Sequence, residues 1–237
     1  MLASAALVGV VGIGLDGPEP TRGAGVASAP SDPAPVGPSG PEIPATARGV
    51  AAALTWAVAE QRDGSAGDHR GQTGEPYPVR RSDYRGPGDA PIDFRTDFYG
   101  ELQWRDADGL GVSVVQINLQ FDRTDDPGCE AGLASCETTT LPDGSLLSAS
   151  TSTRESEDGT GIQRTVDLLR PDGVRIAVSA TNGFDLAGGD WDVTRPEPPL
   201  TLAQLQQIAE LDFWGATLPQ SFVLAQLPGY ERIDSGF

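Results

Sequence analysis

Residues 161–182 read GIQRTVDLLRPDGVRIAVSATN, two runs of strand-forming residues on either side of Arg170-Pro171-Asp172-Gly173. Proline presets φ at the first central turn position and glycine takes the left-handed one, so the spacing predicts a hairpin. In the second run Val174, Ile176, Val178 and Ala180 alternate with Arg175, Ala177 and Ser179, the pattern of a strand with one buried and one solvated face. A sheet with one apolar face follows, and such a face needs a cover.

Working outward, the same pattern recurs. RTDFYGELQW (95–104) places Phe98, Leu102 and Trp104 on one face, with Tyr99, Glu101 and Gln103 on the other. RDADG supplies a turn, and LGVSVVQINLQF (110–121) returns with Val115, Ile117, Leu119 and Phe121 in phase. Val112 and Val114 fall on the opposite phase, which calls for either a bulge or a strand covered on both faces. A further hairpin joins CETTT to SLLSAST around LPDG (141–144).

Two helices flank these strands. In ATARGVAAALTWAVAEQR (45–62) Val50, Leu54, Ala57 and Val58 recur at helical spacing, with Trp56 offering a second packing surface. In PPLTLAQLQQIAELDFW (198–214) Thr201 and Gln204 make a capping box, Leu200 can staple against Leu205, and Leu202, Leu205, Ile208 and Ala209 form one stripe. The expected fold class is α+β: an antiparallel β-sheet built from hairpins, with an N-terminal and a C-terminal helix packed on it. Between the first helix and the first strand, DGSAGDHRGQTGEPYPVRRSDYRGPGDAP (63–91) is polar and rich in breakers, so a long loop is expected there. Its His69, the one histidine of the chain, reads as a solvated loop residue rather than a metal ligand or base.

The ends differ from this middle. Residues 1–15 hold an uncharged apolar run from Leu2 to Leu15, the length of a signal core and short of the roughly 20 residues of a bilayer-crossing helix. It lacks preceding basic residues, and the nearest small-x-small pattern, Ala27-Ser28-Ala29, comes late. One economical reading is a membrane anchor of which this chain carries only part, the rest lying upstream with a basic cytoplasmic segment. A buried helix of a soluble protein is the alternative. Residues 16–45 are dense in Pro, Gly, Ala and Ser and are expected to form a disordered linker. The folded domain is placed at 46–214, and the tail 215–237, broken by Pro and Gly, is left unassigned.

Composition excludes some functions. The net charge of −18 argues against nucleic acid, since phosphate binding needs Lys and Arg to displace counterions. It also opposes an anionic lipid surface. All 16 basic residues are Arg, which fits the codon bias of a high-GC genome.

The segments SDYRG, YGELQWRDADGLGVSVVQINLQ, CETTTLPDGS, LLRPDGVRIAVSATN and RPEPPLTLAQLQQIA, spread over residues 80–214, resemble a group of actinobacterial membrane-anchored proteins of unknown function. In that group a single transmembrane helix leads from a short cytoplasmic segment to an extracytoplasmic domain, and some members are encoded beside extracytoplasmic-function sigma factors. The resemblance implies a cell-membrane location with the domain outside. It implies no catalytic residue.

A search for chemistry finds little. GxSxG, Walker and HExxH motifs are absent, and a single histidine makes Ser-His-Asp and Cys-His catalysis unattainable in their usual forms. The acids Asp122, Asp125, Asp126 and Glu130, and the set Glu155, Glu157 and Asp158 at a hairpin tip, are candidates for Ca²⁺, but neither has EF-hand spacing. Solvated loop acids are the plainer reading. A glycosidase pair would need an aromatic-lined cleft, and aromatics are 6% of residues.

Both cysteines, Cys129 and Cys136, lie in DPGCEAGLASCETTTLPDG (126–144). Their spacing is not that of a C-x₂-C redox site or zinc knuckle, and no further Cys or nearby His completes a zinc site. Outside the cytoplasm the two thiols meet oxidising conditions, so a disulfide is expected. Closing so short a loop stabilises by about 2–3 kcal/mol in the chain-entropy model.

The expectation is therefore a non-catalytic extracytoplasmic domain of a membrane-anchored cell-envelope protein, sensing or accessory to envelope regulation, with no cofactor and no metal. Its partners would be the membrane, through the N-terminal anchor, and an envelope or membrane protein. A secreted form is the alternative location. A small-molecule or lipid-binding envelope module is the second functional reading, and an acidic hydrolase the third.

Overall fold

The turn at Arg170–Gly173 forms as its residues dictate. Gly173 adopts φ +83°, and its N–H donates to the Arg170 carbonyl at 3.0 Å. Around it, a computed structural model describes residues 36–73, 97–107, 109, 111–129, 132–185 and 191–233. In chain order the elements are β1 (Glu42–Pro44), α1 (Ala47–Ala59), β2 (Gly64–Thr73), β3 (Phe98–Asp106), β4 (Val112–Gln120), β5 (Ser135–Thr140), β6 (Leu146–Ser156) and β7 (Gly159–Leu169). There follow β8 (Arg175–Thr181), β9 (Gly183–Asp185), β10 (Trp191–Val193), α2 (Leu202–Ala209), β11 (Thr217–Pro219), α3 (Gln220–Val223) and β12 (Glu231–Arg232).

The fold is α+β. Eight strands form the main sheet in the order β12-β2-β3-β4-β8-β7-β6-β5, and β1-β11 and β9-β10 form two small antiparallel pairs. The sheet is mixed, which corrects the expectation of a purely antiparallel one: β12 runs parallel to β2, with Glu231 opposite Arg70. A hairpin cannot make that pairing, because the tail returns to β2 from the far end of the chain.

Alternation sets the two faces of the sheet. Ile117, Val178 and Val166 lie side by side across three strands, as do Leu119, Ile176 and Leu168. These residues join Val50 and Leu54 of α1 and Leu205 and Ile208 of α2 in one buried cluster. Gly100 lets α1 come close, since a β-carbon there would lie 3.2 Å from Val50 Cγ1. Fully burying each such aliphatic side chain contributes about 1.5–3 kcal/mol of transfer free energy.

Helix α2 begins at its expected cap, and α1 is capped by Thr46. Thr46 accepts from the Gly49 N–H at 3.0 Å, and the Thr201 and Gln204 capping box is complete. The Trp214 indole donates to the Ile208 carbonyl at 2.7 Å, satisfying a carbonyl of the last turn of α2. Trp56 carries its second surface to Phe213 and Phe222, each with ring centroids 5.9 Å away.

The ambiguity at Val114-Val115 is settled in favour of cover. The β3–β4 register runs unbroken from Phe98↔Leu119 to Arg105↔Val112, so no bulge intervenes. Val114 and Val115 are both buried, and Thr194, just after β10, donates its hydroxyl to the Val112 carbonyl.

Three boundaries differ from expectation. Residues 64–73, expected within a loop, form β2 between β3 and β12. Residues 36–45 of the expected linker and residues 215–233 of the expected tail are built into the fold. These last two hold each other: β1 pairs with β11, the Ala45 N–H donates to Ala216 O, and the Gln220 N–H donates to Pro41 O, both at 2.9 Å. Neither segment has a periodic apolar pattern, because each is completed by the other. The expected anchor, residues 1–15, and linker residues 16–35 lie outside the described residues. Among the described residues no helix is long and apolar enough to cross a membrane.

Candidate functional site: the polar face of the sheet

The disulfide between Cys129 and Cys136 is formed, with Cα atoms 5.7 Å apart. Cys136 lies opposite Ser150 of β6, so the bridge ties the preceding loop to the free edge of the sheet.

The other sequence candidates scatter. His69 is not a solvated loop residue: it sits in β2 at 5% exposure. The register shifts between Gly67 and Arg70, and neighbouring Asp68 takes φ +44°. Such a bulge sets an extra residue of one strand against its neighbour and re-aims the side chains around it. Of the first acidic set, Asp125 pairs with Arg175 at 2.8 Å, Asp126 is exposed, and Asp122 adopts φ +56°. Glu130 lies outside the described residues. In the second set, Glu155 accepts from the Thr160 hydroxyl at 3.1 Å, while Glu157 and Asp158 form the β6–β7 turn. Among the described residues no group of three or more His, Cys, Asp or Glu side chains is placed to hold a metal ion.

What the structure assembles instead is the second face of the sheet. Residues directly opposite one another across strands share a face, and one such row reads Glu101, Gln116, Ser179, Thr165 and Ser150 from β3 to β6. The row beside it reads Tyr99, Asn118, Ala177, Asp167 and Ser148. Ser148 and Ser179 are buried among longer neighbours, and Gln116, Asn118, Thr165 and Ser150 are half-buried.

The carboxylates in and beside these two rows already have partners. Glu101 accepts from the Tyr99 hydroxyl at 2.6 Å and from Gln116 Nε2 at 3.2 Å, with Arg70 at 4.0 Å. Asp167 is held by Arg175 at 2.6 Å, and the two carboxylates beside Arg175, Asp167 ahead of Asp125, push the guanidinium pKa up. Asp97 meets Arg123 at 2.7 Å. Burial nevertheless outweighs that cation and raises the Asp97 pKa above the ordinary carboxylate range.

One end of the face is walled. A β-carbon on Gly161 would lie 2.6 Å from Trp191 Cγ, so the indole rests directly on the strand that carries Thr165 and Asp167. Asn182 fastens the segment behind it. Its amide donates to Thr160 O and Arg195 O at 3.0 and 3.1 Å, and its oxygen accepts from the Ile162 N–H at 2.7 Å.

Two further features lie elsewhere. At the end of β3, buried Asp106 accepts from Arg62 Nε and Nη2, both at 2.6 Å, and from Trp104 Nε1 at 2.9 Å, with Arg195 Nη1 at 2.5 Å. Burial works to raise its pKa, but the two guanidiniums prevail and hold the carboxyl below the usual range. A cleft of about 490 Å³ opens beside the C-terminal end of α2, its lining mixing the apolar Leu141, Leu168 and Leu211 with Asp143, Glu210 and Arg170.

The strands of the polar face were legible in the sequence, and its membership was not. Alternation marks Tyr99, Glu101, Arg175 and Ser179 as facing away from the core. Only the cross-strand register decides that Gln116 stands beside Ser179. No protein-family model, curated protein or solved structure matches this chain.

Proposed function

We propose that this chain is a non-catalytic extracytoplasmic domain of a membrane-anchored cell-envelope protein, and that it contacts another envelope component through the polar face of its sheet. The observation that carries this reading is the face itself: a broad, half-buried array of amides and hydroxyls in which Asp167 is paired with Arg175 and Glu101 is held by Tyr99 and Gln116. Such a surface is built to exchange hydrogen bonds with a partner at little electrostatic cost. The Cys129–Cys136 disulfide supports the compartment, since such bonds persist under oxidising conditions. A role in sensing, or accessory to envelope regulation, fits a domain held at the surface by a tether.

The test has two parts. In intact cells, a membrane-impermeant alkylating reagent should label the cysteines only after reduction, and protease added outside should reach the domain. The purified oxidised chain should then co-sediment with an envelope fraction. Free thiols in unreduced cells, or failure to sediment, would refute the proposal.

The cleft beside α2 favours a second reading, a small-molecule or lipid-binding module, because apolar and charged groups share its lining. Saturable binding of a fluorescent fatty acid, lost in Leu168→Gln and kept in Gln116→Ala, would select that reading.

A further inference from the structure

We propose that the polar face binds an uncharged, hydroxyl-rich chain, a neutral glycan, laid across the strands rather than along them. This names the ligand class of the face assigned above and rests on that assignment.

Geometry gives the direction. Gln116, Ser179, Thr165 and Ser150 stand in direct register on β4, β8, β7 and β6. Adjacent strands lie about 4.8 Å apart, so the row offers a hydrogen-bonding group at that interval over roughly 14 Å. Amide and hydroxyl groups each donate and accept, which suits a ligand whose groups also do both. A chain of polyhydroxyl units can meet such a ladder with one contact per step. Ser179 is buried and Gln116 and Thr165 are half-buried, so part of their desolvation is already complete before any ligand arrives.

Charge gives the class. Glu101 is engaged by Tyr99 and Gln116, and Asp167 by Arg175, so a cationic ligand would have to displace partners already seated. A polyanion would meet a chain of net charge −18. An uncharged chain meets neither penalty. An extended peptide is disfavoured on different grounds, because peptides add to sheet edges or to apolar grooves, and these rows lie on a polar face.

The experiment applies the whole oxidised chain to an array of neutral glucans, mannans, galactans and arabinans, with polygalacturonate as the anionic chain. Binding to at least one neutral chain and none to polygalacturonate is expected. Gln116→Ala and Ser179→Ala should each weaken that binding by about tenfold. Glu210→Gln, in the cleft beside α2, should leave it unchanged. Circular dichroism and melting curves check that each variant is folded, and titration of Thr165→Ala gives a second readout should one of them not be. An array with no neutral ligand, equal binding of polygalacturonate, or wild-type affinity in folded row variants would overturn the proposal. Failure here with envelope sedimentation intact removes the glycan and leaves the contact face. Loss of both removes the two together.

Discussion

Trp191 lies flat against Gly161, so close that a β-carbon at 161 would stand 2.6–2.7 Å from three atoms of the indole. The contact joins β10 to the polar face of β7 and buries Trp191 to 8% exposure. Gly161→Ala should therefore push the indole away and destabilise the chain by about 1–3 kcal/mol, the usual cost of overpacking. Denaturant titration measures the loss, and a red-shifted tryptophan emission in the native state would show the ring becoming wetter. A variant as stable as the parent would mean that the β9–β10 pair is not held by this contact.

Asp106 should be the most sensitive single charge among the described residues. Its side chain is 2% exposed and faces Arg62 and Arg195, so Asp106→Asn leaves the buried Arg195 guanidinium, and the partly exposed Arg62 beside it, without their anion and should cost about 3–5 kcal/mol at pH 7. Because the folded-state pKa is lowered, the stabilisation is fully present above the ordinary aspartate pKa of 3.8 and is lost as pH falls through the folded value. The gap between parent and variant should thus close only below about pH 4. A gap independent of pH down to acid unfolding would count against the charge as its source.

Reduction of the disulfide should leave the sheet intact. Seven positions separate the cysteines, and the chain-entropy model gives about 2–3 kcal/mol for so short a loop. Cys129→Ser with Cys136→Ser should lower the unfolding midpoint accordingly while keeping the far-ultraviolet circular dichroism spectrum. Proteolysis should accelerate first at the released loop before β5. Collapse of the native spectrum would show that the bridge holds more than that loop and edge.

Thr201→Ala removes one half of the capping box and leaves the Gln204 N–H without its 3.2 Å partner. The expected loss is about 1 kcal/mol. Thr201→Asn should recover most of it, since the amide oxygen accepts the same bond. Equal stability of all three chains would mean that packing of Leu205 and Ile208 alone fixes the start of α2.

Legibility followed locality. The Arg170–Gly173 turn, the Thr201 cap and the alternation in β3, β4 and β8 are decided by residues within a few positions of each other, and the structure has them where the pattern placed them. β2 was not legible, because GSAGDHRGQT has no apolar alternation. Its small residues exist to admit neighbours: a β-carbon on Gly71 would lie 2.7 Å from the Tyr230 hydroxyl and 3.0 Å from Ala47 O. The segments around β1 and β11 were hidden for the same reason, each supplying hydrogen bonds that the other lacks.

The candidate site divides along that line. Sequence by itself determined which residues face away from the core, because a period of two is a local property of the strand. It also placed the two cysteines close enough in the chain to close a loop. Only the tertiary structure decided that Gln116, Ser179, Thr165 and Ser150 form one row, that Arg175 joins Asp167 and Asp125, and that Trp191 closes one end. Strand order and register are set by contacts between residues far apart in the chain, where burial of the apolar face selects one pairing and the polar face follows from it.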